Sequence, residues 1–126
     1  FLIFNPDTLW QKDYQESILK MESLYFSKQI KNILLLVNKK LSFDKNLNGD
    51  FNLESNLISN NMKKEFIYTG CQILSRKLFE NCNIKSFSII DVWNNLIKEE
   101  RLFGFENYNK FYHLTDLETF KKLQDL

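Results

Sequence analysis

The residues whose types could do chemistry stand where apolar segments of the chain end. Asn5-Pro6-Asp7 follows a short apolar run and contains a carboxylate. At the carboxyl end of a strand in an α/β sheet, such a group could hold Mg²⁺ together with substrate phosphates. The same three residues also suit an Asx turn that only ends the strand. Position alone leaves both interpretations open.

Two glycine-containing motifs could let a ligand approach the backbone closely. Gly49-Asp50-Phe51 precedes a short predicted strand, and its alternative is a plain turn after Asn48. Tyr68-Thr69-Gly70 places a glycine inside an apolar strand. That pattern indicates either a β-bulge or a ligand pressed against the backbone.

The single histidine, His113, is predicted on a short strand between Tyr112 and Leu114. A histidine with such neighbours is more typical of packing than of catalysis, and no Cys or Ser near it has the spacing that nucleophilic activation needs. Cys71 and Cys82 lack CxxC spacing. They therefore indicate neither a disulfide framework nor a zinc site, and a reducing cytoplasm is the expected location.

Glycine positions also limit what the chain can bind. The three glycines, at positions 49, 70 and 104, cannot form a GxGxxG or Walker loop. A complete nucleotide site is therefore not expected within these residues.

Composition excludes several classes of protein. Hydrophobic residues make up 44% of the 126 residues, which is too many for a disordered chain. The formal net charge is +1, so nothing drives the chain towards nucleic acid or an anionic membrane, and an RNA-binding sheet is disfavoured. The longest apolar runs are too short to span a bilayer. Three pairs of neighbouring lysines are expected to be solvated surface: Lys39-Lys40, Lys63-Lys64 and Lys121-Lys122.

The elements that must position these residues alternate between strand and helix. Apolar runs predict strands at 1–5, 33–37, 66–74, 102–105 and 111–114, with a short edge strand at 51–53. Helical periodicity and capping patterns predict helices at 12–29, 75–80, 89–100 and from 115 onward. Segments 1–5 and 33–37 are expected to be buried strands joined by a right-handed crossover. The predicted fold is α/β with a mixed, mostly parallel sheet.

Taken in order, these segments resemble the C-terminal half of the sugar-1-phosphate nucleotidyltransferase family, especially its N-acetylmuramate-1-phosphate uridylyltransferase-like and mannose-1-phosphate guanylyltransferase-like members. The family ends with a turn of the D-V-G-T-P or H-V-G-T-P kind, and Tyr112-His113-Leu114-Thr115-Asp116 departs from it by losing Gly and Pro. The matching motifs are Asn5-Pro6-Asp7 with Trp10, Gly49-Asp50-Phe51, Phe66-Ile67-Tyr68-Thr69-Gly70, Phe87-Ser88-Ile89 and Leu102-Phe103-Gly104.

The resemblance implies that residues 1–126 are the C-terminal portion of one Rossmann-like nucleotidyltransferase domain, whose nucleotide-binding part precedes Phe1. It implies a cytoplasmic parent enzyme that makes a nucleotide sugar and pyrophosphate from a nucleoside triphosphate and a sugar 1-phosphate. These 126 residues alone would be inactive. No nucleic acid or membrane partner is expected. The alternative is a non-catalytic α/β interaction module.

The resemblance also assigns roles to the candidate residues. Asp7 would be catalytic and would hold Mg²⁺, with His113 near the metal where the family usually has an aspartate. Imidazole is a poor Mg²⁺ ligand compared with a carboxylate, so His113 is the weaker of the two expected ligands. In the interaction module, Asp7 would only cap a turn and His113 would be structural.

The remaining candidates would bind substrate. Asn5 and the backbone at Gly49 would contact the sugar phosphate, and Asp50 belongs to the same motif. Tyr68 and Gly70 would line the sugar pocket. The catalytic step implied is an in-line attack of the sugar phosphate oxygen on the α-phosphorus, helped by positioning and by charge neutralisation.

Overall fold

The computed structural model describes residues 2–4, 10, 12–60, 63–79 and 88–113. Its centre is a sheet of six described strands, whose spatial order is β1-β5-β2-β6-β4-β3. The strands are β1 (Leu2–Phe4), β2 (Ile33–Asn38), β3 (Asn52–Glu54), β4 (Leu57–Ser59), β5 (Phe66–Ile73) and β6 (Phe103–Asn107).

Within the described part of the chain, one helix packs on each face of this sheet. Helix α1 (Tyr14–Ser27) buries Tyr14 and Met21 against Ile33 and Leu35 of β2. Helix α2 (Ile89–Lys98) packs on the opposite face, where the apolar cluster includes the alternate residues of the same strand. Because neighbouring strand residues point to opposite faces, a strand buried on both faces reads as a continuous apolar run.

The expectation of a mostly parallel sheet is wrong. Among the described strands, β2 and β6 form the parallel pair, and the other four pairings are antiparallel. Two causes are visible. Ser55 and Asn56 have φ values of 52° and 70°, which suit a two-residue hairpin, so β3 and β4 must be antiparallel. Strand β5 also lies between β1 and β2 and runs against both.

The crossover from β1 through α1 to β2 joins two strands that run in the same direction, as the sequence predicts, but they are not neighbours. Strand β1 is also not buried. It lies at one edge of the described sheet, with Leu2 41% and Phe4 45% exposed. Periodicity could not reveal this, because an apolar run has the same pattern at an edge as in the centre.

Several element boundaries agree with the sequence prediction within a few residues. The predicted helices at 12–29 and 89–100 correspond to α1 and α2, and the short helix at 75–80 is a 3₁₀ turn, Arg76–Phe79. Strand β4 was not predicted, because it lies within a polar, Asn-rich stretch. Phe111 forms an isolated bridge with Ser42 where a strand was expected. The helix predicted from 115 onward lies outside the described residues.

The pairing between β2 and β5 contains a bulge. Leu34 pairs with Gln72 and Leu36 with Tyr68, so one residue of β2 faces three residues of β5 where a regular ladder would place one. Because side chains alternate between the two faces of a strand, two extra residues in β5 leave the side chains beyond the bulge on their original faces. One extra residue would turn them to the opposite faces. A bulge, one of the two alternatives left open for Tyr68-Thr69-Gly70, is present, and Gly70 has a φ of 100°, which L side chains rarely adopt.

Candidate functional site at the start of β5

The Gly49-Asp50-Phe51 motif pairs with the first residue of β5. The Asp50 amide donates to the Phe66 carbonyl at 2.7 Å, and the Phe66 amide donates to the Phe51 carbonyl at 3.0 Å. This contact lies on the side of β5 away from β2, the side that β1 occupies further along the strand. Two separate pieces of chain therefore flank β5 on that side.

The carboxylate of Asp50 extends this pairing two residues further along β5. Its Oδ2 accepts a hydrogen bond from the Tyr68 amide at 2.9 Å. Partial burial raises the pKa of the Asp50 carboxyl above its ordinary value, while that hydrogen bond and the nearby charges of Lys64 and His113 oppose the rise. The structure therefore brings Asp50, Tyr68 and His113 into one neighbourhood, although His113 is 63 positions from Asp50 in the sequence.

Gly49 allows a close approach, but the partner is the chain itself. A Cβ at this position would overlap the carbonyl group of Lys64. The sequence leaves two alternatives here, a ligand that approaches the backbone or a plain turn after Asn48. The described residues show a structural reason for glycine at this position, namely that two backbone segments pack directly on each other.

Tyr68 belongs to an aromatic cluster on the α2 face. Its ring packs edge-to-face on Trp93 at a centroid distance of 5.0 Å, and Phe51 meets the same indole at 5.7 Å. The Trp93 Nε1 donates to the Gln72 Oε1 at 3.0 Å. Burial raises the pKa of the Tyr68 hydroxyl, so the phenol stays protonated.

Sequence reasoning did not single out Trp93 or Gln72 as part of the site. Gln72 is 5% exposed and is a polar residue within the apolar β5, which is the signal that could have identified it. Buried amides need partners, and the indole of Trp93 supplies one.

The side chain of Thr69 stabilises the bulge. Its hydroxyl donates to the Leu35 carbonyl at 2.8 Å, and both residues are buried. That carbonyl lies where the regular ladder between β2 and β5 is interrupted. The hydroxyl therefore replaces a missing backbone donor, because buried carbonyls are costly to leave without a hydrogen bond.

Gly70 lies between the two pieces of chain that flank β5. The last residue of β1, Phe4, pairs with Cys71, and the Asp50 carboxylate binds the Tyr68 amide. Asn5 and Asp7 follow Phe4 in the sequence but lie outside the described residues. Their predicted contacts with Mg²⁺ and the sugar phosphate therefore stay predictions.

His113 occupies a short extended segment beside residues 41–43. The Phe111 amide donates to the Leu41 carbonyl at 2.9 Å, and the Phe43 amide donates to the Phe111 carbonyl at 2.8 Å. The imidazole of His113 stacks on the Phe111 ring, with centroids 6.0 Å apart and the planes inclined by 24°. The fully buried Phe111 thus positions the histidine.

The described residues do not by themselves form a magnesium site. Within the ranges that the structure covers, no group of three or more His, Cys, Asp or Glu side chains is arranged to hold a metal. His113 near Asp50 offers one imidazole and one carboxylate, and Mg²⁺ favours oxygen ligands in near-octahedral geometry. Within this same part of the chain, no helix is long and apolar enough to cross a membrane.

Comparison with known proteins identifies the fold. No protein-family model matches the chain, and no curated protein matches it. A solved structure from Bacillus anthracis, described as a glucose-1-phosphate thymidylyltransferase in complex with sucrose, matches with a TM-score of 0.67 over 98% of this chain. The chain therefore shares the fold of that structure. It is 14% identical to that structure and spans 52%, about half, of its length.

Proposed function

We propose that the chain is the C-terminal portion of a sugar-1-phosphate nucleotidyltransferase. The observation that carries this proposal is the likeness of fold over 98% of the chain to a protein described as a glucose-1-phosphate thymidylyltransferase. Further support comes from the ordered motifs, of which Gly49-Asp50-Phe51 and Tyr68-Thr69-Gly70 lie side by side at the start of β5. The chain spans half of that structure, so the remaining residues of the active site would belong to a preceding segment.

In the proposed reaction, a phosphate oxygen of a sugar 1-phosphate attacks the α-phosphorus of a nucleoside triphosphate. The bond from that phosphorus to the bridging oxygen breaks, and pyrophosphate leaves with the electron pair. The reaction needs positioning and neutralisation of phosphate charge more than covalent chemistry. Asn5, Gly49 and Asp50 are the proposed contacts of the sugar phosphate.

The sugar itself is proposed to lie against Tyr68 and Gly70. Two features of β5 support this position: the half-buried aromatic ring of Tyr68, and the stretch of strand at Gly70 that lies between two flanking segments. The requirement for Mg²⁺ rests on the sequence resemblance, with Asp7 as its expected ligand and His113 as a neighbour.

The test is release of pyrophosphate by the complete gene product that contains this sequence, assayed with each nucleoside triphosphate and a panel of sugar 1-phosphates. Asp7→Ala should lower turnover at least about 100-fold, the usual cost of removing one group that stabilises charge in the transition state. Asp13→Ala is the matched control, since this exposed aspartate makes no cap hydrogen bond through its side chain. Its turnover should stay within about twofold of the wild type.

The interaction module remains the second candidate, and two contacts favour it. Asp50 is engaged by the Tyr68 amide and Gly49 is packed on Lys64, so both motif residues already have structural roles. A folded gene product that releases no pyrophosphate from any substrate pair would reject the enzyme and favour the module. Full turnover in Asp7→Ala would reject only the assignment of Asp7.

A further inference from the structure

An open pocket with a volume of about 590 Å³ lies beside the Gly49-Asp50 motif. Four of the residues around it are lysines, drawn from three separate stretches of the chain. The residues that matter are Lys39, Lys45, Lys63, Lys64, Glu65 and Gly49.

Backbone contacts fix the positions of these stretches. The Lys39 amide donates to the Glu65 carbonyl at 2.9 Å, and Gly49 packs on the backbone of Lys64. The Nζ of Lys45 donates to the Lys40 carbonyl at 2.8 Å, which holds that side chain back against the chain. The cationic groups are therefore gathered on a hydrogen-bonded framework.

The charges of this pocket are poorly balanced. Four lysines and one acidic residue, Glu65, line it. Among the described residues the ion pairs join Lys20 to Glu16 and Arg101 to Glu99, and they involve none of the pocket lysines. The charge of Lys64 lowers the pKa of the Asp50 carboxyl, which lies outside the lining, so these two side chains lie close together. His113 lowers the pKa of the same carboxyl, so Asp50 is shared between two basic residues. The lining residues thus keep an excess of three positive charges.

An anion with several charges would relieve this repulsion. Lysine ammonium groups bind phosphate oxygens as point charges, and their interaction with one another is unfavourable until a counterion is present. Diphosphate carries about as much negative charge at neutral pH as the pocket has in excess. The lysine pairs were interpreted from sequence as solvated surface. Lys39-Lys40 and Lys63-Lys64 are exposed, whereas Lys121-Lys122 lies outside the described residues. Tertiary structure combines Lys39 with Lys63-Lys64, and their fields add.

We propose that this pocket binds the diphosphate group of a small molecule, with inorganic pyrophosphate as the simplest ligand. The proposal does not depend on the function proposed above, because binding to the chain can be measured without turnover. Failure of the enzyme assay would leave the binding prediction intact, and the reverse also holds.

The test is calorimetric titration of the chain with pyrophosphate at physiological ionic strength, compared with orthophosphate. Lys63→Gln/Lys64→Gln should weaken pyrophosphate binding about tenfold, as expected for the loss of two partly screened charge contacts. Lys28→Gln/Lys98→Gln is the matched control, because it removes the same charge from exposed positions outside the pocket. That control should change the affinity by less than about twofold.

The second pair, Lys39→Gln/Lys45→Gln, tests the other two lysines of the pocket and should weaken binding by a similar factor. It also decides the outcome if the first pair fails to fold, which circular dichroism would reveal. The proposal is overturned if the wild-type chain binds no pyrophosphate or binds orthophosphate equally well. It is also overturned if the control pair loses as much affinity as the pocket pairs, since bulk charge would then explain the binding.

Discussion

The two sides of β2 are built differently. On one side, β6 runs parallel in unbroken register from the pair Ile33 and Phe103 to the pair Val37 and Asn107. On the other side, β5 runs antiparallel and carries the two extra residues of the bulge. The regular side holds no candidate site residue, whereas β5 and its flanking segment hold Asp50, Tyr68 and Gly70.

The irregular side requires side chains to complete its hydrogen bonds. Thr69 supplies a donor to the Leu35 carbonyl, and Asp50 supplies an acceptor for the Tyr68 amide. On the regular side the backbone ladder needs no such help. The difference shows that β2 and β6 form a regular ladder, while β5 leaves backbone groups whose hydrogen bonds polar side chains complete.

The largest effect expected concerns Cys71, the last residue of the bulge. If the β2–β5 side of the sheet is packed as tightly as the β2–β6 side, the Cys71 thiol must be unreactive towards thiol reagents. Burial, with a smaller effect of Glu22, raises the pKa of the Cys71 thiol to about 12. At pH 8 its thiolate should be about a thousandfold rarer than that of an ordinary cysteine, and the thiolate is the reactive form.

The measurement is the rate of labelling by a disulfide reagent in a Cys82→Ser variant, folded and then unfolded in urea. The folded rate should be slower by about the same factor of a thousand. A folded rate within about tenfold of the unfolded one would contradict the tight packing of the bulge.

The next largest effect compares a glycine on each side of β2. Gly70→Ala should destabilise the fold by about 1–3 kcal/mol, because its φ of 100° is strained for any L side chain. Gly104→Ala should cost a similar amount for another reason. Its Cβ would overlap the side chain of Leu53 and lie 3.0 Å from the Leu36 Cδ1.

Double variants separate the two causes. Leu53→Ala removes the overlap, so the double variant with Gly104→Ala should lose less free energy of unfolding in urea than the sum of the two single losses. In the double variant with Gly70→Ala, the two losses should add. If both double variants lose less free energy of unfolding than the sum of their single losses, both glycines are required for packing. The proposed difference between the β2–β5 and β2–β6 sides would then be wrong.

An effect of similar size is expected at Thr69. Thr69→Val keeps the shape of the side chain but leaves the buried Leu35 carbonyl without the hydroxyl donor, which should cost about 1–3 kcal/mol. Thr69→Ser retains the hydroxyl and serves as the matched control, so it should lose clearly less stability. Thermal unfolding measures both. A valine variant as stable as the serine variant would mean that the hydroxyl does not support the bulge.

The sequence by itself determined the features that depend on near neighbours. The period of α1, the apolar run of β2 and the glycine that marks the β5 bulge could all be identified, because helices, strands and positive φ values are set by residues close in the chain. The edge position of β1 could not, since an exposed edge and a buried centre share one apolar pattern.

Only the tertiary structure decided which segments meet. It placed β5 between β1 and β2, joined the Asp50 carboxylate to the Tyr68 amide, and gathered lysines from separate stretches around one pocket. These choices depend on pairing between strands that are far apart in the chain. No local propensity specifies such a partner, because the hydrogen-bonding groups of every backbone segment are the same.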